Sequence, residues 1–182
     1  MPPIPARAAA LIVVALLLAA CAGADEQRLA GFYPDLEALL PAAFEGVAPA
    51  SLDSGRYCSA NTLGSLLAAG VSELHFAGAT WPDQGGQTGL AIVVYRAPGL
   101  TADAVADSFA SGAGEARGVN QVHALAIEVA GVPGVSITAM SGDRPQIVII
   151  RPFGPAGTVA VVIGSGVDEA RVLAAAQTFG GP

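Results

Sequence analysis

The sequence predicts an α+β fold: a mainly antiparallel β-sheet of about five to six strands covered by helices. Leucines near the start recur at helical spacing, whereas from Val71 onward several short segments alternate with period two. The strand segments also come in runs joined by short turns, with helical patterns between the runs. Such an order favours an antiparallel sheet over alternating βαβ units.

The elements read in the order ααββαββββα. A proline at a helix-start position and Leu36, Leu39 and Leu40 predict a helix over Tyr33 to Leu40, limited by Pro41. A second helix is expected from about Ser59 to Ala69, with Leu63, Leu66 and Leu67 on one face and Gly70 as the stop. Leu74 and Phe76 alternate in a strand from Val71 to near Trp81. The turn residues Pro82-Asp83-Gln84-Gly85-Gly86 then lead to a second strand, Thr88 to Arg96, so this pair reads as a hairpin. Thr101 caps the next helix, with Leu100 and Val105 placed for a hydrophobic staple, Asp103 in the positive first turn and Gly112 as its end. A glycine-rich loop to Asn120 follows. Four meander strands come next: His123 to Val129, Gly134 to Met140, Gln146 to Arg151 and Thr158 to Ile163. Ser165 and Asp168 make a capping-box pattern for a last helix whose Val172, Leu173, Ala176 and Phe179 share a face.

Composition bounds the functions open to such a domain. The chain has 182 residues and is 53% hydrophobic, a globular composition that suits one domain with a sizeable core. Its eight basic residues are all arginine, so mechanisms that need lysine, such as a Walker-type phosphate loop or a Schiff base, are excluded. A formal charge of −7 without a basic cluster argues against a nucleic-acid partner. It also disfavours adhesion to anionic lipid surfaces beyond an anchor.

The first residues carry Arg7, an unbroken apolar stretch from Ala8 to Ala20, and then Cys21. That apolar run is shorter than the roughly 20 residues of a spanning helix and ends in small residues, as a cleavable signal peptide does. The expected organisation is a signal peptide over residues 1–20, a flexible tether over 21–31 and a single α+β domain over 32–182. Leu18-Ala19-Ala20-Cys21 resembles the lipobox of bacterial lipoproteins. That resemblance implies a thioether-linked lipid on Cys21, cleavage before it, and membrane attachment on the extracytoplasmic face. Because Ala22 rather than aspartate follows, it further implies the outer membrane where the organism has two.

From Val71 the order ββαββββα resembles that of the Mog1/PsbP-like sandwich, found among lipoproteins of the LpqN type. The phrases Asp35-Leu36-Glu37-Ala38-Leu39-Leu40-Pro41 and Tyr95-Arg96-Ala97-Pro98-Gly99 resemble uncharacterised exported proteins of high-GC bacteria. Neither resemblance implies an activity.

Chemistry-bearing residues are few. With Cys21 lipidated, Cys58 is the remaining thiol, just before a predicted helix start and two residues from Arg56. The histidines, His75 and His123, fall on different predicted strands, without the spacing of a zinc site. Gly164-Ser165-Gly166 lacks the nucleophile-elbow pattern, and Gly112-Ala113-Gly114 lacks the third glycine of a dinucleotide loop. Phe76, Trp81 and Tyr95 fall together on the predicted hairpin, where they could line a groove. No catalytic, cofactor-binding or metal-ligating residue is assigned, and Cys21, as the lipidation site, is the one site residue. The expectation is a noncatalytic binding or assembly module facing an unknown protein or an apolar ligand. The alternatives are a lipid carrier, which needs a large apolar cavity, and a hydrolase or thiol enzyme, the thiol version of which needs Cys58 near a histidine.

Overall fold

Side-chain alternation on the strands sorts the apolar residues into two cores, one on each face of a single sheet. In the computed structural model, which describes residues 26–83 and 88–178, the strands are β1 (Glu26–Leu29), β2 (Ser51–Tyr57), β3 (Leu74–Pro82), β4 (Gly89–Arg96), β5 (Val119–Val129), β6 (Val132–Ser141), β7 (Arg144–Pro152) and β8 (Thr158–Ser165). The helices are α1 (Pro34–Glu37), α2 (Ala60–Leu63), α3 (Ser65–Ala68), α4 (Ala102–Glu115) and α5 (Glu169–Thr178). The sheet order is β1-β2-β3-β4-β8-β7-β6-β5, and every neighbouring pair is antiparallel. Two meanders, β1 to β4 and β5 to β8, are thus joined through β4 and β8.

One face carries Ala77, Ala79, Trp81, Leu90, Ile92, Val94, Ala160 and Val162 beneath α1 and α5. The other carries Leu74, Ile137, Ile150, Val159 and Val161 beneath α2, α3 and α4. Thr101 caps α4 as the sequence predicts, its side chain accepting from the Ala104 amide at 3.2 Å, and Leu100 and Val105 are both buried. The buried guanidinium of Arg151 donates from Nη2 to the Ala176 carbonyl at 3.3 Å, which ties β7 to α5. Burial pulls its pKa below the ordinary arginine value, but the group stays charged.

The α+β class and the antiparallel sheet agree with the sequence reading, whereas the strand count does not. Seven strands of seven or more residues, β2 to β8, and the short β1 replace the expected five to six. The missed β2 reads Ser-Leu-Asp-Ser-Gly-Arg-Tyr, a composition poor in strand formers. Its buried Ser54 is held by tertiary bonds instead: Oγ donates to Glu37 Oε1 at 2.6 Å and accepts from the Tyr33 amide at 2.8 Å. Glu26–Leu29, assigned above to the tether, pairs with β2. The helix expected over residues 59–69 is broken at Gly64, whose φ of +51° no helix accommodates, so α2 and α3 are separate turns. The helix expected to reach Leu40 ends at Glu37, and α4 runs past Gly112 to Glu115. The β5–β6 loop is the two residues Ala130 and Gly131, both at positive φ as a type I′ turn requires, so Pro133 lies inside a strand. For α5, Asp168 rather than Ser165 supplies the cap, accepting from the Arg171 amide at 2.8 Å. The expected signal peptide, Cys21, residues 22–25, the turn tip Gln84-Gly85-Gly86 and Phe179 lie outside the described residues.

Candidate functional site

Register brings a polar row together at one end of the sheet. Glu26 lies opposite Arg56, Arg56 opposite His75, His75 opposite Arg96, and Arg96 opposite Thr158, so one row crosses β1, β2, β3, β4 and β8. Alternation gives their neighbours Leu74 and Val159 to the α4-side core, so Arg56, His75, Arg96 and Thr158 belong to the α1 side.

The row is tied by ion pairs. Glu73 Oε1 accepts from Arg56 Nη1 at 3.3 Å and meets His75 Nε2 at 2.9 Å. The His75 contact, and after it Arg56, holds the Glu73 carboxyl below its usual range against the opposing effect of burial. The ionised carboxylate accepts the hydrogen bond that Nε2–H donates, so Nδ1 is the ring nitrogen left outside this contact. Tyr33 stacks on the same imidazole, ring centroids 4.5 Å apart at 20°. Arg96 Nη1 donates to Asp35 Oδ2 at 2.6 Å, and its Nε donates to Thr158 Oγ1 at 3.4 Å.

Beside this row opens a cleft of about 540 Å³, with Glu73, His75 and Arg96 on its polar side and Val71, Ala97, Pro98 and Ala156 among its apolar walls. Among the described residues, Arg96 Nη2 and His75 Nδ1 make no hydrogen bond. They present a fixed cationic donor and an imidazole nitrogen beside an apolar wall, an arrangement suited to a small ligand with a polar or anionic head. Across the loop that carries Ala156 lies a second cleft of about 500 Å³, lined by Ile127, Val135 and Phe153 and by Thr101 and Asp103 of the α4 start.

The sequence-level candidates fare differently. Cys58 is a half-buried thiol immediately after β2. His75 comes to the same end of the sheet, opposite Arg56, but its Nε2 is engaged by Glu73. His123 sits exposed on β5, the far edge of the sheet. Among the described residues no group of three or more His, Cys, Asp or Glu is arranged to hold a metal ion. The expected aromatic groove divides: Phe76 stacks on Tyr57 at 4.6 Å and lies opposite Tyr95, while Trp81 is in the other core and donates from Nε1 to the Val47 carbonyl at 2.9 Å. Positions 76 and 81 differ in parity, so one strand sends them to opposite faces. Sequence reasoning missed Arg96 and Glu73, although a hairpin of the expected strands already folds Arg96 back toward His75.

No protein-family model matches the chain, and no curated protein matches it in sequence. Among solved structures it is similar to the solution structure of cyanobacterial PsbP (CyanoP) from Synechocystis sp. PCC 6803, at 15% identity and a TM-score of 0.35, over 75% of this chain and 94% of that one. A superposition this loose carries no statement about function.

Proposed function

We propose that the protein is a lipid-anchored, noncatalytic binding module of the cell envelope, processed after residue 20, attached to a membrane through lipid on Cys21, and binding its ligand in the cleft beside His75 and Arg96. The lipobox-like Leu18-Ala19-Ala20-Cys21 supports the anchor and the extracytoplasmic location. The observation that carries the binding reading is Arg96 itself, a cation built on a central strand, whose Nη2 makes no hydrogen bond among the described residues at the wall of a ligand-sized cleft. An enclosed lipid carrier is less well supported. The cavity between the sheet and α2 to α4, lined by Tyr57, Leu66, Tyr95 and Phe109, is about 100 Å³, below the roughly 300 Å³ of ordinary ligand sites.

Native mass spectrometry of the protein, purified from its own membrane in mild detergent, tests this reading. The expected result is an acylated Cys21 at the N-terminus and a small molecule retained by the wild type and by Leu125→Ser but lost from Arg96→Ala. An unacylated N-terminus would overturn the anchor. Equal retention by Arg96→Ala would overturn the site.

A further inference from the structure

The chain enters the sheet at the end that carries the cleft, because Glu26 of β1 is in register with Arg56, His75 and Arg96. Cys21 precedes Glu26 by five residues, a length that reaches at most about 18 Å however it is arranged. The nine residues of β3 carry the sheet about 30 Å from this end to the opposite one. An anchor within about 18 Å of Glu26 therefore cannot bring the opposite end, with its Ser141–Arg144 turn, to the bilayer while the cleft end stands uppermost. Arg96 is three strands from β1, about 14 Å to the side, which leaves the cleft within reach of the same membrane patch.

Two of the four exposed large apolar side chains among the described residues lie near that end, the others being Val47 and Leu125. Phe32 is 43% exposed and Leu67 46% exposed. Phe32 packs edge-on against Tyr33, the ring that stacks on His75, and Leu67 precedes the cleft residues Gly70 and Val71. Exposed apolar side chains suit the boundary between headgroups and acyl chains. The net charge of −7 opposes general attraction to an anionic surface, so bulk charge would not supply an orientation and the short tether and apolar contacts would have to.

We propose that this end of the sheet rests against the membrane and that the cleft takes the phosphate-bearing headgroup of a membrane lipid. Arg96 Nη2 is the phosphate donor, and Val71, Ala97, Pro98 and Ala156 flank the apolar part next to the headgroup. This rests on the lipid anchor at Cys21 proposed above.

The test uses full-length lipoprotein, its N-terminal mass verified, reconstituted in phosphatidylglycerol vesicles. A nitroxide is placed by Leu67→Cys or Asp143→Cys in a Cys58→Ser background. The spin label at 67 should show the oxygen accessibility of the lipid boundary, and that at 143 the accessibility of water. Phospholipid retained in native mass spectra from nanodiscs should fall about tenfold or more in Arg96→Gln, the scale of one charge-assisted hydrogen bond. Water-like accessibility at 67 or displacement of the lipid by inorganic phosphate would each overturn the inference while leaving an acylated module that binds at Arg96 in place, whereas retention unchanged in Arg96→Gln would overturn the inference together with the Arg96 site. An unacylated Cys21 would instead remove the anchor and the inference with it.

Discussion

Gly157 closes the loop between the two clefts, and replacing it with alanine imposes two separable costs. Its φ is +80°, and an added Cβ would stand 2.4 Å from the Ala97 carbonyl oxygen, a backbone atom with no rotamer to yield. The same Ala97 donates its amide to the Gly157 carbonyl at 3.0 Å, so neither strand end can retreat alone. The left-handed backbone costs a non-glycine residue about 1–2 kcal/mol, and overpacking adds about 1–3 kcal/mol. Gly154, in the same loop, has φ of +62° with nothing within 4 Å of its added Cβ, so Gly154→Ala meets the first cost without the second. For a domain of this size 1 kcal/mol lowers the Tm by about 2–4 °C. Gly154→Ala should therefore fall by about 2–8 °C, and Gly157→Ala by at least about 2–4 °C more. Thermal melts followed by far-ultraviolet circular dichroism, with urea titrations to check that m is unchanged, measure the difference. A Gly157→Ala protein as stable as Gly154→Ala would refute the close packing of this loop on Ala97.

Three further outcomes are expected. Arg171 on α5 pairs with Glu45 Oε2 at 3.0 Å and Asp83 Oδ1 at 2.8 Å, and the Arg171 bond followed by the Thr88 hydroxyl lowers the Asp83 pKa. A carboxyl lowered on folding contributes stability present above its unfolded pKa and lost as pH falls through the folded one, so both Asp83 and Glu73 should steepen the loss of Tm below about pH 4. Arg171→Gln should lower the Tm at pH 7, with the two curves converging on acidification; parallel curves would contradict the assignment. Ser54→Ala removes the hydroxyl that joins Glu37 to the Tyr33 amide, and urea unfolding should report a loss of about 1–3 kcal/mol. Thr101→Ala deletes the α4 cap and should cost about 1 kcal/mol, with exchange of the Ala104 amide accelerating; an unchanged Ala104 amide would mean that the cap is not formed in solution.

What the sequence alone determined is whatever depends on neighbours along the chain. The α4 cap is legible because Thr101, Asp103 and Val105 act within one turn, and the β3–β4 hairpin because alternation and its turn residues are local. The exclusion of lysine chemistry follows from composition. The tertiary structure decided what depends on partners distant in the chain. β2 exists because Ser54 finds Glu37 and because β3 lies alongside, not because Ser-Leu-Asp-Ser-Gly favours a strand. Gly64, at φ +51°, splits a continuous leucine pattern, and Leu63 and Leu66 reach the α4-side core while Leu67 is left exposed. The cleft is the clearest case: Arg56, Glu73, His75 and Arg96 are unremarkable in sequence, and only antiparallel register sets three of them side by side on successive strands. Hydrogen-bonding register between strands is a long-range choice, and a single chain read in order records the side chains it will align without recording the alignment.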